Sequence, residues 1–369
     1  MRVLFALAGL HRVNRGAEIA LESVARELAR MPGWDVTLLG TGPGRTGEPY
    51  RYLRGSCVPR ERFERCPRLP VLRNEYVYEE LTFVPSLLRR FRPRDFDLTS
   101  TCAYPFTNWV LRARRRRRGT ASRRPLHVFI TQNGDWPARA RSREYRFFGC
   151  DALVCINPEH QDRHRDRWPT LLVPNGVDVD DFSPGRGDRS SFGLPEGPLA
   201  LMVSALIPSK RVVDGIDAVA LLSGVGLAIA GDGPMRDEVR ARGRERLGDR
   251  FVQLTVPRER MPDLYRCADA LVHMSLDEPF GNIYVEALAV GLPCVTHRTR
   301  TTEWILGEHA ELVDAADPGQ VAAGLDRLLR GESPERRGRL RAACEARFSW
   351  SRIAQDYAAF YRTLAEERT

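Results

Sequence analysis

The chain has 369 residues, 43% hydrophobic and 28% charged, with a formal net charge of +9. That length and apolar content suit two cored domains of about 100 to 200 residues each, which excludes a disordered chain or a small disulfide-stapled one. No run approaches the roughly 20 apolar residues of a membrane-spanning helix, so an integral helical membrane protein is not expected.

The start, MRVLFALAGLHRVNRG, turns charged after one short apolar run and offers no small-residue cleavage site. It reads as a buried first strand of a cytoplasmic protein. The eight cysteines, at 57, 66, 102, 150, 155, 267, 294 and 344, form no C-x-x-C pair, and reduced core thiols are expected.

RVLFALAGL predicts the first strand. A helix follows Gly16, with apolar positions at Ile19, Leu21, Val24, Ala25 and Leu28, and WDVTLLGTG is the second strand. Strand, glycine turn, helix, strand is a βαβ unit, which implies a parallel, doubly wound sheet. Ligands of such sheets collect at the carboxyl ends of the strands, where Gly16 falls. Residues 45 to 95 alternate Arg, Pro and aromatic residues around a helix in EYVYEELTFVPSLLRRF.

DFDLTSTCAYP predicts the next strand. From Arg112 to Arg118, six of seven residues are arginine. A solvated helix end or loop is the first expectation, an anionic membrane surface or a phosphate-bearing acceptor the alternative, and nucleic acid is not expected as a partner. LHVFITQNGDW is a strand ending in a polar corner at Thr131, Asn133, Gly134 and Asp135. REYRFFG predicts a helix, CDALVCIN a strand, and HQDRHRDRW a solvated polar helix. Cys150, Cys155, His160 and His164 can be drawn as a metal site, the histidines at i,i+4 spacing. Cys155 lies within an apolar run, however, and no metal is expected. GRGDRSSFGLPEGP has the composition of a linker, which puts a boundary near residue 185.

The second half opens with the strand PLALMVSAL and the helix IPSKRVVDGIDAVALL. Lys210 is the one lysine among 57 basic residues. Where arginine supplies every generic positive charge, a retained lysine asks for a specific chemical reason. VGLAIAGDGP predicts a strand ending in Gly231-Asp232-Gly233, RFVQLTVP another, and DALVHMS a third that ends at Ser275. LPCVTHRT is a later strand, and ADPGQVAAGLDRLLRG and FSWSRIAQDYAAFYRTLAEE are helices.

Between these, EPFGNIYVEALAVG forms a strand-to-helix corner in which Glu278 and Glu286 bracket a glycine turn. Gly281 allows close backbone approach. The amides of Gly281, Asn282 and Ile283 are the orphan donors of a helix N-terminus, suited to an anion. Glu286, about a turn into the helix, can take two vicinal hydroxyls with its two oxygens. An acidic first turn favoured by the helix dipole is the plain alternative. It does not account for a glutamate set before Pro279 and a Phe-Gly turn.

The pattern E-x-F-G-x-x-x-x-E-A-x-A-x-G-x-P resembles the donor-site signature of the retaining, nucleotide-sugar-dependent glycosyltransferases of group 1, or family 4. The resemblance covers nearly the whole chain and implies an α/β protein of the GT-B fold: two Rossmann-like doubly wound domains facing a central cleft. The implied domains are 1–185 on the acceptor side, 186–345 on the donor side, and a last helix, 346–369, that crosses back to the first.

By the same resemblance Glu278 faces the transferred sugar, Phe280, Gly281, Asn282 and Ile283 the diphosphate, and Glu286 the ribose. Lys210 takes the lysine position on the β-phosphate. Ala205 stands where the family has an arginine, which leaves Arg211, Arg15 or Arg12 to compensate. Gly16 and Gly231 match glycines that face the donor, and the backbone from Leu254 to Val256 flanks the base. Asn133 stands where the family has a histidine. It cannot titrate near neutral pH, so with Asp135 it is expected to position sugar hydroxyls.

The implied catalytic set is Glu278, Lys210 and Asn133, acting without metal or cofactor on a nucleotide-diphosphate sugar and a hydroxyl acceptor contacted by residues 45 to 95. The expected location is the cytoplasm, with peripheral contact at the inner membrane face through Arg112–Arg118 as a further expectation. Two other readings stand beside this one. A sugar-nucleotide-binding protein with weakened catalysis follows from Ala205 and Asn133, and a GT-B epimerase or phosphorylase uses a similar cleft.

Overall fold

The structure, a computed structural model, describes residues 1–112, 124–132, 147–331 and 333–368. It divides into two compact units, Met1–Asn175 with Trp350–Thr369, and Gly176–Ser349. In each, apolar strands alternate with amphipathic helices, and a strand buried on both faces needs helices on both sides.

The first unit runs β1 (Arg2–Ala6), α1 (Gly16–Arg30), β2 (Asp35–Gly40), β3 (Arg51–Arg54), α2 (Glu75–Arg90), β4 (Leu98–Thr101), α3 (Phe106–Arg112), β5 (Leu126–Ile130), β6 (Ala152–Cys155), α4 (Pro158–His164) and β7 (Thr170–Leu172). The strands are parallel in the order β3-β2-β1-β4-β5-β6-β7.

The second unit runs β8 (Leu199–Val203), α5 (Val212–Ala220), β9 (Gly226–Ala230), α6 (Arg236–Leu247), β10 (Phe251–Leu254), α7 (Met261–Arg266), β11 (Ala270–His273), α8 (Asn282–Val290), β12 (Cys294–His297), α9 (Arg300–Leu306), β13 (Ala310–Val313), α10 (Pro318–Arg330) and α11 (Pro334–Phe348). Its parallel order is β10-β9-β8-β11-β12-β13. Both sheets thus reverse winding direction once, between β1 and β4 and between β8 and β11. Outside the carboxyl ends of two such strands lies the crevice where open α/β sheets take ligands.

The last helix, α12 (Trp350–Glu366), belongs to the first unit. It packs along α1 and buries Ile353, Tyr357, Ala358, Tyr361 and Leu364 in the same core as β1 and β2. The Tyr361 hydroxyl bonds Ser100 Oγ of β4 at 3.2 Å.

The run read as a linker lies on the second unit. Arg189 pairs with Asp269 at 2.8 Å, and Arg341 of α11 donates to the carbonyls of Val179 and Phe182. These contacts carry the division back from 185 to Asn175/Gly176. HQDRHRDRW is helical only as far as His164, and not solvated all round as expected: His160 and His164 are buried, against Thr131 and Trp168, because α4 turns that edge to the sheet. The helix expected in REYRFFG lies mostly outside the described residues. Among the described residues no helix is long and apolar enough to cross a membrane.

Candidate functional site

The crevice between β8 and β11 in the second unit gathers most of the predicted residues. After β8 the chain passes Ser204 and Ala205 into a single 3-10 turn, Pro208–Lys210, and Arg211 enters α5 in the left-handed conformation at φ +50°. After β11 it passes Glu278 and reaches Gly281, the N-cap of α8, at φ +82°. A Cβ at Gly281 would stand 2.5 Å from the Tyr284 ring, so glycine is required there twice over, by backbone conformation and by space. Gly281 has no side chain with which to cap α8, a helix of nine residues whose first-turn amides follow directly on this turn.

The turn brings Lys210 onto Glu278, 68 residues away in sequence: its ammonium donates to Oε2 of the carboxylate. His273, the last residue of β11, donates from Nε2 to the same oxygen at 3.0 Å, which requires the proton on Nε2. Burial pushes the Glu278 pKa up, but the His273 hydrogen bond and the Lys210 charge outweigh it. The net shift is downward, and the carboxylate stays ionised. The His273 ring meets Tyr284 edge-on with centroids 5.5 Å apart, and the Tyr284 hydroxyl is bonded to Thr296 Oγ1 at 2.8 Å.

One helical turn past Gly281, Glu286 is buried. Tyr265 of α7 donates to its Oε2 at 2.8 Å, and Arg258 lies 3.4 Å from its Oε1. Burial raises its pKa, while Arg258 and the Tyr265 hydrogen bond pull it back. Both oxygens therefore carry a protein partner, and each keeps lone-pair capacity for a further donor.

The other predicted residues fall as follows. Arg211 is committed to its own surroundings, to Asp214 at 2.6 Å and to the Ala315 carbonyl at 3.2 Å. Gly231 directly follows β9, where a Cβ would overlap the Ser204 carbonyl, a packing reason for glycine that needs no ligand. Val256 is half-buried in the loop after β10, and the Leu254 carbonyl is bonded to the Gly231 amide. Phe280 is buried, while Asn282 and Ile283 open α8. Ala205 is exposed at the strand end. Gly16, in the other unit, is the exposed first residue of α1. Asn133 and Asp135 lie outside the described residues, as does the arginine run beyond Arg112.

Three side chains of this site went unassigned in the sequence: His273, Tyr265 and Arg258. His273 was within reach, as a polar residue ending a buried strand five places before Glu278. Tyr265 and Arg258 lie 21 and 28 residues before Glu286 and carry no local signal.

Two doubly wound parallel units, the second with a basic and acidic constellation at its switch point, define a protein of the GT-B fold. Solved structures agree. Sucrose-phosphate synthase from Thermosynechococcus elongatus matches with a TM-score of 0.75 at 20% identity, over 99% of each chain. Anabaena HepE in complex with UDP and glucose matches at 0.70 and 18% identity, over 98% of this chain and 100% of that one.

The families described as Glycosyltransferase Family 4 and Glycosyl transferases group 1 match residues 14–181 and 188–347. The chain belongs to the group 1, family 4 glycosyltransferases. The D-inositol 3-phosphate glycosyltransferase of Mycolicibacterium smegmatis is 33% identical over 251 residues, 63% of this chain and 57% of that protein. The lipopolysaccharide core biosynthesis glycosyltransferase LpsE of Rhizobium meliloti is 26% identical over 213 residues, 55% of this chain and 60% of that protein. The chain thus spans somewhat more than half the length of these relatives.

Proposed function

We propose that this chain transfers a sugar from a nucleotide-diphosphate donor to an acceptor hydroxyl with retention at the anomeric carbon. The observation that carries the reading is the pairing of its sole lysine, Lys210, with Glu278 close in sequence to the glycine N-cap of α8. Lys210 has further N–H donors, and these with the amides at Gly281 to Ile283 stabilise the charge that grows on the departing diphosphate. Glu278, held ionised, orients the sugar through the oxygen not shared by Lys210 and His273. The acceptor hydroxyl attacks from the face the diphosphate leaves and passes its proton to that leaving phosphate. Glu286, oriented by Tyr265 from behind and with Arg258 beside it, holds the ribose. Lysine and helix amides supply the electrostatic stabilisation that a divalent cation gives elsewhere, so turnover should be unchanged by EDTA.

In this reading the second unit carries the donor and the first the acceptor. Asn133 holds a sugar hydroxyl, Gly16 and Gly231 let backbone approach the donor, and Val256 lies by the base. Arg112–Arg118 rests on anionic lipid at the inner membrane face. Arg211 acts indirectly, by fixing the turn that presents Lys210.

The test is a thermal-shift panel of UDP-glucose, GDP-mannose and ADP-glucose followed by assay of the best binder in radiolabelled form. Label released to water or to an acceptor is expected. Binding without hydrolysis or transfer for any donor would leave a sugar-nucleotide-binding protein instead.

A further inference from the structure

The donor reading gives no part to His273, whose position at the end of β11 invites one. Its imidazole is 4% exposed, and its Nε2 is held 3.0 Å from Glu278 Oε2, the oxygen that Lys210 also meets. A lysine on a four-carbon stem cannot fix a carboxylate by itself, because its ammonium is a point charge free to rotate. A ring anchored in a strand and stacked edge-on against buried Tyr284 can. Tyr284 is in turn tied to Thr296, the residue opposite His273 in the β11–β12 register. Three adjacent elements, β11, α8 and β12, thus fix the angle at which His273 meets Glu278.

We infer that His273 is a positioning residue for donor recognition: it pins Oε2 of Glu278 so that Oε1 alone is offered to the hydroxyls of the transferred sugar. This rests on the transferase reading above, in which Glu278 faces the sugar and the diphosphate is held by Lys210 and α8. The consequence is a separation of binding terms. A hydrogen bond to a charged group is strong enough that its loss moves affinity or rate by about tenfold. The loss should fall on the sugar half of the donor and spare the nucleoside diphosphate.

The experiment compares the intact protein with His273→Leu, which fills similar space without a donor, and His273→Gln, whose amide keeps an N–H near Nε2. Affinity is measured for the best-binding nucleotide sugar of the panel and for its matching nucleoside diphosphate, together with donor turnover. His273→Leu is expected to bind the nucleotide sugar about tenfold more weakly and turn it over at least tenfold more slowly. Its affinity for the diphosphate should stay within twofold, and His273→Gln should recover most of both losses. Sugar affinity and turnover within twofold of the unaltered protein in His273→Leu would overturn the inference. So would equal loss of sugar and diphosphate binding in both variants, the mark of a purely structural histidine. Unaltered protein that binds no nucleotide sugar at all would instead overturn the transferase reading, and the inference with it.

Discussion

At the scale of single residues, Lys210 shows how composition becomes chemistry. In a chain where 56 of 57 basic residues are arginine, the exception sits on a tight turn with its ammonium against a nearly buried carboxylate. A guanidinium there keeps the charge but is planar and larger, and its fork suits bidentate partners rather than one shared oxygen. Lys210→Arg should therefore lower donor turnover roughly tenfold to a hundredfold, and wild-type rates in that variant would refute the role given to the lysine. Glu286 is the complementary case. Its Oε2 takes the Tyr265 hydroxyl and its Oε1 lies near Arg258, so Glu286→Gln keeps the shape and an acceptor but loses the charge. Donor dissociation should rise by about tenfold with a smaller change in turnover, as read by titration calorimetry. An unchanged Kd would remove the ribose assignment.

At the scale of elements, α12 shows what a helix at the end of a chain contributes when it supplies core to a unit built mostly from the other end. Tyr361 is wholly buried, with its ring 6.3 Å from Trp34 and its hydroxyl on Ser100. Tyr361→Ala should cost the first unit about 3 to 5 kcal/mol, while Tyr361→Phe, which loses only the hydrogen bond, should cost about 1. Chemical denaturation followed by a probe in the first unit separates the two.

The periodicity that marks α12 also made most other elements legible. Strands buried on both faces and helices with one apolar stripe write their periods into sequence, so β1, α1, β2, β5, β8, β9, β12 and α10 stand where the pattern puts them, whereas the helix expected from Ile207 begins only at Val212, after the turn that carries Lys210. The corner at Gly281 was legible for a different reason, a glycine turn between two glutamates. The site's supporting residues were not. Tyr265 and Arg258 reach Glu286 across 21 and 28 residues through tertiary packing, which leaves no short-range trace. The residues from 185 to 198 misled in the opposite way: glycine, proline and serine give a linker's composition, but Arg189 and Arg341 fasten the stretch and its approach to the second unit.

At the scale of the whole molecule, stability should depend on pH through buried groups of the first unit. Glu80 of α2 is the clearest. It is buried, its Oε1 accepts the Thr107 amide at 2.7 Å, and its Oε2 finds no hydrogen-bond partner among the described residues. Burial penalises the charged form more than the Thr107 hydrogen bond favours it, and the pKa rises from an ordinary 4.5 to about 7. The folded state then binds more protons than the unfolded one between those two values, so this group's contribution is whole below pH 4.5 and is lost as pH climbs to 7. The full loss is about 3 kcal/mol. Glu80→Gln keeps an oxygen for the Thr107 amide and has no proton to lose. Relative to the unaltered chain, its first unit should gain stability steadily from pH 4.5 to 7 and hold that advantage at pH 8. Because every other titrating group is common to both proteins, the difference between their unfolding free energies isolates this one carboxyl. A difference that stays flat across the range would mean that Glu80 titrates alike in the folded and unfolded chain, and that its buried environment is more polar than Thr107 and the unpartnered Oε2 make it.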